Sequence, residues 1–345
     1  MLGGGIFVTQ NKTLPGSYIN IVNASSVTST VGERGVVAIA LPLNKAAGTV
    51  IEITRADFYS YSKELLGKEY GSNELVALRE IFCNANKVYI YDLGTNGTVN
   101  EAVNALEPYD FNVLCAYTDT AEDVAAYITA IKSWRNDLGK KCQLVVYNQE
   151  KPDFEGIINV VSTVSDENAP EYALVAWIAG AEAGCKINES CTNKLYDGEY
   201  KVLTNKTQKE LEDCITNGQV ALHLVYGDVR MLEDINSLTT FTVEKTEDFK
   251  YNQTIRVVDQ VANDMARLFN TKYLGKIPNN ESGRASLWGD IVAHHRQLEA
   301  IQAIETFDSS LLTVTQGANK KSVVVSDAIT VTNAMAQLYM TVVIQ

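Results

Sequence analysis

The sequence is poor in histidine, and none of its few sits in a catalytic pattern. Three histidines serve 345 residues: His223, His294 and His295. His294 and His295 are neighbours. On a helix they point about 100° apart and cannot share a metal as an i, i+4 pair does. His223 lies within the apolar run "VALHLVY", where a structural histidine is expected. No carboxylate–histidine spacing of a metal site occurs. No G-x-S-x-G elbow occurs either, so a serine nucleophile would have no motif to stand on. No catalytic residue, metal ligand or cofactor is assigned.

Clusters of Lys and Arg are also absent, and the net charge is −13. Such a surface argues against general nucleic-acid binding, which needs grouped cations to neutralise phosphates. No run approaches the roughly 20 apolar residues of a membrane span. The opening "MLGGGIFVTQNKTLPG" lacks a basic region and a long apolar core. A soluble protein made in the cytoplasm, with no membrane insertion, is the expectation. None of the six cysteines (83, 115, 142, 185, 191 and 214) forms C-x-x-C, and buried free thiols are expected ahead of disulfides. The N-x-T triplets at Asn96 and Asn205 are chance matches in such a chain. Gly3, Gly4 and Gly5 follow no strand and precede no lysine, so they suit a flexible terminus rather than a phosphate loop.

What the chain does contain is ordinary core material, 46% hydrophobic and 21% charged. Order begins at "RGVVAIALPL", an apolar strand. "VIEITRADF" follows, a strand entering a helix with Asp57 as cap candidate. "SNELVALREIFCNA" places Leu75, Leu78 and Phe82 on one helical stripe. "KVYIYDL", "FNVLCAY" and "CQLVVYN" are strands, separated by the helix "TAEDVAAYITAIKSWRNDLG" with its stop at Gly139. "EYALVAWIAGAEAG" is a helix whose Gly180 and Gly184 mark a close-packing face. "TQKELEDCITNG" is another, with Gly218 as its C-cap, and "VALHLVY" is a strand. This alternation predicts a mostly parallel α/β sheet.

After about residue 236 the rhythm changes. In "TIRVVDQVANDMARLFNTKYLG", Ile255, Val258, Val261, Met265, Leu268 and Phe269 form an apolar stripe that ends at Gly275. "GRASLWGDIVAHHRQLEAIQAIETF" repeats the pattern with Leu287, Ile291, Leu298, Ile301 and Ile304. Three strand candidates follow: "SSLLTVT", "KSVVVSDAITVT" and "AQLYMTVVIQ". The last alternates cleanly: Leu338, Met340, Val342 and Ile344 on one face, Tyr339, Thr341, Val343 and Gln345 on the other. "SYINIV", in the polar first thirty residues, is a second short terminal strand candidate. Either strand can cap its own sheet or pair with a neighbouring subunit.

Several segments carry a family likeness. They are "DINSLTTF" (234–241), the pattern R-V-x-D-x-x-x-N-D (Arg256, Asp259, Asn263, Asp264) and the pattern Y-x-G-K-x-x-N (Tyr273, Gly275, Lys276, Asn279). The Gly283–Arg284 turn, the closing "LYMTV" and, upstream, "PGSYINIVN", "RGVVAIALP" and "VAWIAGAEAGCKINESCTNKLYDG" complete the set. Together they resemble contractile tail sheath proteins of myophages and tailocin particles. The likeness is strong in the C-terminal part and weak over 95–170. Many sheaths carry an extra outer β-sandwich domain after the strand equivalent to "KVYIYDL". Here "GTNGTVNEAVNAL" leads almost directly to the next helix, which implies a compact form.

The resemblance implies an N-terminal arm (1–30), an α/β domain of subtilisin-like fold (31–235), a sheath C-terminal α+β domain (236–333) and a C-terminal arm strand (334–345). It implies a structural subunit of stacked hexameric rings around an inner tail tube, contracting without ATP to drive the tube through an envelope. Its partners would be other copies, the tube protein, and baseplate and tail terminator proteins. It would be made in a bacterial host's cytoplasm and built into a virion or tail-like particle. Strand pairing between subunits would use Tyr18, Ile19, Ile21 and Val22, with Leu338, Tyr339, Met340, Val342, Val343 and Ile344. Lys276, Arg284 and Arg296 are the tube-contact candidates. The rivals are an α/β hydrolase-like enzyme and a non-polymeric α/β ligand-binding protein.

Overall fold

The computed structural model describes residues 31–344. Its centre is a seven-stranded sheet. In chain order the strands are β1 (Val36–Leu41), β2 (Val50–Thr54), β3 (Lys87–Asp92), β4 (Val113–Cys115), β5 (Gln143–Tyr147), β6 (Ile157–Val160) and β7 (Gln219–Val220). In space they lie β2-β3-β1-β4-β5-β6-β7, and every neighbouring pair is parallel except β2 with β3. The expected mostly parallel α/β sheet is therefore present. β6 is an addition; its four residues, all buried, are too short a run to stand out in the sequence.

Strand periodicity of two explains how the sheet is covered on both faces. Val37, Ile39 and Leu41 of β1 point into one apolar cluster with α2 (Val76–Phe82) and α5 (Leu174–Gly184). Ala38 and Ala40 point the other way, into a cluster with α3 (Val99–Leu106) and α4 (Ala121–Asn136). Leu75, Leu78 and Phe82 are all buried, as their spacing predicts.

Helix starts follow side-chain chemistry, sometimes one turn from the expected place. α1 (Arg55–Leu66) is capped by Thr54, whose hydroxyl accepts from the Asp57 N–H. Asp57 thus sits in the first turn, where its charge favours the helix dipole, rather than at the cap. Thr98 and Glu101 form a capping box on α3, and Thr207 and Glu210 form one on α6 (Gln208–Thr216). These two threonines close the N-x-T triplets at Asn96 and Asn205, so helix capping accounts for them. β3 reaches α3 through a short turn, with no extra domain between. The six cysteines are free.

"VALHLVY" is two strands. β7 leaves the sheet at Ala221, and β8 (Leu222–Val225) turns back on β9 (Asp228–Met231) as a hairpin. His223 is half-buried there, and burial lowers its pKa, which favours a neutral ring. The C-terminal part holds α7 (Asn252–Leu268), α8 (Glu281–Ala300) and the antiparallel hairpin β10 (Thr313–Gln316) with β11 (Val323–Ser326). Leu287, Ile291 and Leu298 of α8 are buried with Val257 and Leu268. α8 stops at Ala300, so Ile301 is exposed and Ile304 is buried beyond the helix, bridged to Val331.

Gly180 and Gly184 do form a packing face. A Cβ at Gly180 would meet the Ile81 carbonyl oxygen, and one at Gly184 the Asn84 carbonyl oxygen. α5 and α2 therefore approach at backbone distance, and there is no flexible side chain to yield. Gly180→Ala should lower unfolding free energy by about 1–3 kcal/mol, outweighing the roughly 1 kcal/mol helix-propensity gain. Urea denaturation checks this; an unchanged midpoint would contradict it.

Candidate functional site: a polar seam and an exposed terminal segment

The apolar stripe expected on α7 is only partly buried. Ile255 and Leu268 are inside, Val258, Val261 and Met265 are half-buried, and Phe269 is exposed. The fully covered face is polar. Asn252, Arg256, Asp259, Gln260 and Asp264 recur at helical spacing and are all buried. Their partners lie mostly on the α/β sheet and its helices. Asn252 accepts from Gln143 of β5 at 2.9 Å. Asp259 takes both arms of Arg135 from α4, at 2.5 and 2.9 Å. Asn263 pairs with both backbone groups of Lys141, at 3.2 and 2.7 Å.

Arg256 is the most enclosed of these, with its side chain wholly out of solvent. It donates to Glu182 of α5 at 2.8 Å, to Asp234 at 3.1 Å and to the Glu189 carbonyl at 3.0 Å. Burial, reinforced by the Asp234 charge, pushes the Glu182 carboxyl well above its usual range. Burial also works to raise Asp234, but the Arg256 charge and hydrogen bonds, including one from Glu182, hold it below its usual value. The trio is thus one cation, one anion and one neutral acid, with no net charge inside. Carboxylate oxygens of Glu182 and Asp234 and the Cys191 sulfur lie within 4.8 Å of one another, a spacing that suits a metal. Arg256 already supplies the positive charge there.

The other motif residues have the same kind of work. Ser237 exchanges hydrogen bonds with the Phe154 backbone at 3.0 and 3.3 Å, and Thr239 donates to Asp153 at 2.7 Å through its backbone N–H. Tyr273 donates to Asp290, and Asn279 to the Ser322 carbonyl at 2.8 Å. A Cβ at Gly283 would strike the Pro278 carbonyl oxygen. Gly275 adopts φ 70°, a left-handed turn that favours glycine.

The predicted site residues do not gather in one place. Lys276 is exposed and donates to the Thr271 carbonyl at 2.6 Å. Arg284 is half-buried on Asn279 at 3.1 Å, and Arg296 pairs with Glu299 at 2.5 Å. Arg284 and Arg296 stand twelve residues apart on α8, about 18 Å along it and about 120° around it. Tyr18, Ile19, Ile21 and Val22 lie outside the described residues.

Leu338–Ile344 forms no strand with any described residue. The root of this segment is tied down: Ala334 N–H donates to Gln253 at 2.9 Å, and Gln253 donates to the Thr332 carbonyl at 3.1 Å. Beyond it Leu338 is 86% exposed, Tyr339 88%, Val343 78% and Ile344 94%; Met340 and Val342 are also open. The hairpin β10–β11 likewise leaves Val324 and Val325 exposed.

A crevice of about 880 Å³ opens at the C-terminal ends of β1, β3 and β4. Leu41, Leu93, Tyr117, Asp123 and Tyr172 line it, and among the described residues its lining holds no serine, cysteine or histidine. A hydrolase dyad therefore has no members there.

Family models for the phage tail sheath protein central domain and the phage tail sheath C-terminal domain match residues 94–237 and 244–345. The Phage-like element PBSX protein XkdK of Bacillus subtilis is 30% identical over 72% of this chain, and an uncharacterized protein, YqbK, of the same organism is 35% identical over 50%. This chain spans 56% and 38% of their respective lengths. The tail sheath protein of Clostridium phage phiCD119 is 26% identical over 85% of this chain and 82% of its own. Among solved structures, the sheath tail protein from Desulfitobacterium hafniense superposes with TM-score 0.77, covering 92% of this chain and all of that one at 22% identity. The contracted helical sheath of the anti-feeding prophage gives 0.70, covering 96% and 99% at 16% identity.

The charge assignment in the seam is testable by substitution. Arg256→Met leaves Asp234 buried without its cation and should cost about 3–5 kcal/mol. Glu182→Gln keeps one donor and one acceptor and should cost no more than about 1 kcal/mol. Equal losses in equilibrium denaturation would show Glu182 to be ionised instead.

Proposed function

This chain belongs to the phage tail sheath family, and from that premise we propose that it is the repeating structural subunit of a contractile tail sheath. The family is one of structural sheath proteins rather than enzymes. The observation that carries the subunit reading is the terminal segment. Six large apolar side chains between Leu338 and Ile344 face solvent in a stretch whose sequence alternates as a strand does. An exposed apolar strand of this kind is an aggregation hazard unless a partner covers it. The hairpin β10–β11 supplies such a partner on another copy. A two-stranded sheet is marginal by itself, and added strands complete it. Main-chain ladder bonds would give the affinity, and the alternation of side chains the register.

Copies joined in this way form rings and stack. We take the rings to be hexameric and to enclose an inner tail tube, with baseplate and tail terminator proteins at the ends. Contraction would need no nucleotide. Subunits would move from a metastable lattice into one that buries more surface, while the paired segments hold the mesh together. That movement would drive the tube through a target envelope. The protein would be made in the bacterial host's cytoplasm and carried in a phage or tail-like particle.

Lys276 and Arg296 are the more exposed tube-contact candidates, although each also bonds within its own subunit, Lys276 to the Thr271 carbonyl and Arg296 to Glu299. Exposed charges give weak, salt-screened contacts, which suits a surface that must release the tube. Arg284 is partly engaged within its own subunit.

Deleting residues 338–345 should leave a folded protein that does not polymerise. Negative-stain microscopy and sedimentation check this, with circular dichroism as the folding control. Normal tubes or rings from the truncated chain would overturn the strand-exchange reading.

A further inference from the structure

Adjacent histidines diverge on an ideal helix, yet the rings of His294 and His295 meet. Their Nδ1 atoms lie 3.2 Å apart, and both side chains are fully buried. The outer nitrogens each reach a carboxylate. His294 Nε2 is 3.0 Å from Asp264 on α7, and His295 Nε2 is 2.6 Å from Asp327, just after β11. Asp264 also accepts from Gln260 at 3.0 Å, from Arg267 at 2.6 Å and from the Gly32 N–H at 3.1 Å. With those three donors on it, Asp264 serves as an acceptor.

The hydrogens can then be counted. Each Nε2 carries one, because it faces an acceptor. The Nδ1 contact at hydrogen-bond distance holds one between the two rings. Two lone pairs facing each other would repel, and so would two N–H groups. One hydrogen shared between the rings, with one on each Nε2, is the arrangement that satisfies all four ring nitrogens.

We propose that Asp264–His294–His295–Asp327 is a single-proton clasp that joins the roots of the two terminal segments, and that a second proton opens it. Gly32, near the start of the described residues, bonds Asp264, and Asp327 begins the stretch leading to the anchored Thr332–Ala334. The clasp thus spans the place where the N-terminal segment enters and the place where the C-terminal segment leaves. The charged groups facing it are Asp264 and Arg267 from α7 and Asp327 beyond β11. On α8 itself, Arg296 is turned to Glu299 and over the Phe307 ring, which meets His295 edge-on at 4.8 Å. Acid places two N–H groups head to head at the centre of the clasp. The Asp327 end yields first, since Asp264 is held by three further donors and Asp327 is partly exposed.

The clasp lies within one subunit, so its test does not depend on how the terminal segments pair. Hydrogen exchange on the full chain reads it. From about pH 7.5 to about pH 5, after correction for intrinsic rates, amides over 327–334 should exchange about tenfold faster, while β1 and β5 stay protected. Asp327→Asn keeps an acceptor but removes the charge that favours the imidazolium. Its 327–334 amides should exchange fast already at neutral pH and respond little to acid, with β1 and β5 protection as the folding control. An unchanged wild-type rate, or the same acid response in D327N, would overturn the proposal. Nitrogen shifts of labelled histidine give a direct count: two protonated nitrogens on the pair at neutral pH, instead of three, would also refute it.

Discussion

Arg256 has no access to water, and its guanidinium ties three separate stretches of chain together: Glu182 on α5, the Glu189 carbonyl beyond it, and Asp234 in the turn after β9. A buried cation persists only where its charge is answered and acceptors reach it; the two terminal nitrogens are met here, while Nε has no partner among the described residues. Those requirements fix where α7 lies against the parallel sheet. Once α7 is placed, Asp259 reaches Arg135, Asn252 reaches Gln143, and Asp264 reaches the His294 ring. The C-terminal part is thus attached through polar groups that each need one particular partner. An apolar seam of similar area would accept a range of slides and rotations. A polar seam defines one arrangement, which suits a protein whose copies must all present their contact surfaces in the same orientation.

That precision inside contrasts with what the chain leaves outside. Residues 332–334 are bonded to Gln253, and a few positions later a row of apolar side chains stands in solvent. The free chain tolerates this only as an unfinished structure. The same segment is short enough to be held by its root and long enough to reach beyond its own domain. The anchored root and the exposed apolar run lie within a dozen residues of each other, next to the polar seam.

Much of the α/β half was legible in the sequence, because strand and helix periodicity report burial there directly. β1 alternates between two apolar faces, and Leu75, Leu78 and Phe82 are buried as their spacing demands. Gly180 and Gly184 marked a close-packing face on α5, whose partner proved to be α2 and the turn after it. Errors came where local chemistry or tertiary context overrode the pattern. Thr54 took the cap expected of Asp57, and β7 and β8 parted at Ala221 because the second half leaves the sheet for a hairpin. On α7 only Ile255 and Leu268 of the expected apolar stripe are buried. A polar stripe at the same spacing, Asn252–Arg256–Asp259–Gln260–Asp264, carried a signal that hydrophobic periodicity cannot register. The family resemblance picked out Arg256, Asp259, Asn263 and Asp264 without saying what they do.

The layered α/β architecture, the lack of a catalytic motif and the alternation of the last eight residues could all be read from the chain's own pattern, and free thiols were the favoured expectation. These depend on composition and on periods of two and 3.6, which are local properties of the chain. Which polar groups are buried together, that the two adjacent histidines meet, and that Leu338–Ile344 finds no partner among the described residues are visible only in the folded chain. These depend on residues far apart in sequence arriving at one place, and an ionic or hydrogen-bonded pairing leaves no periodic trace from which its partner could be named.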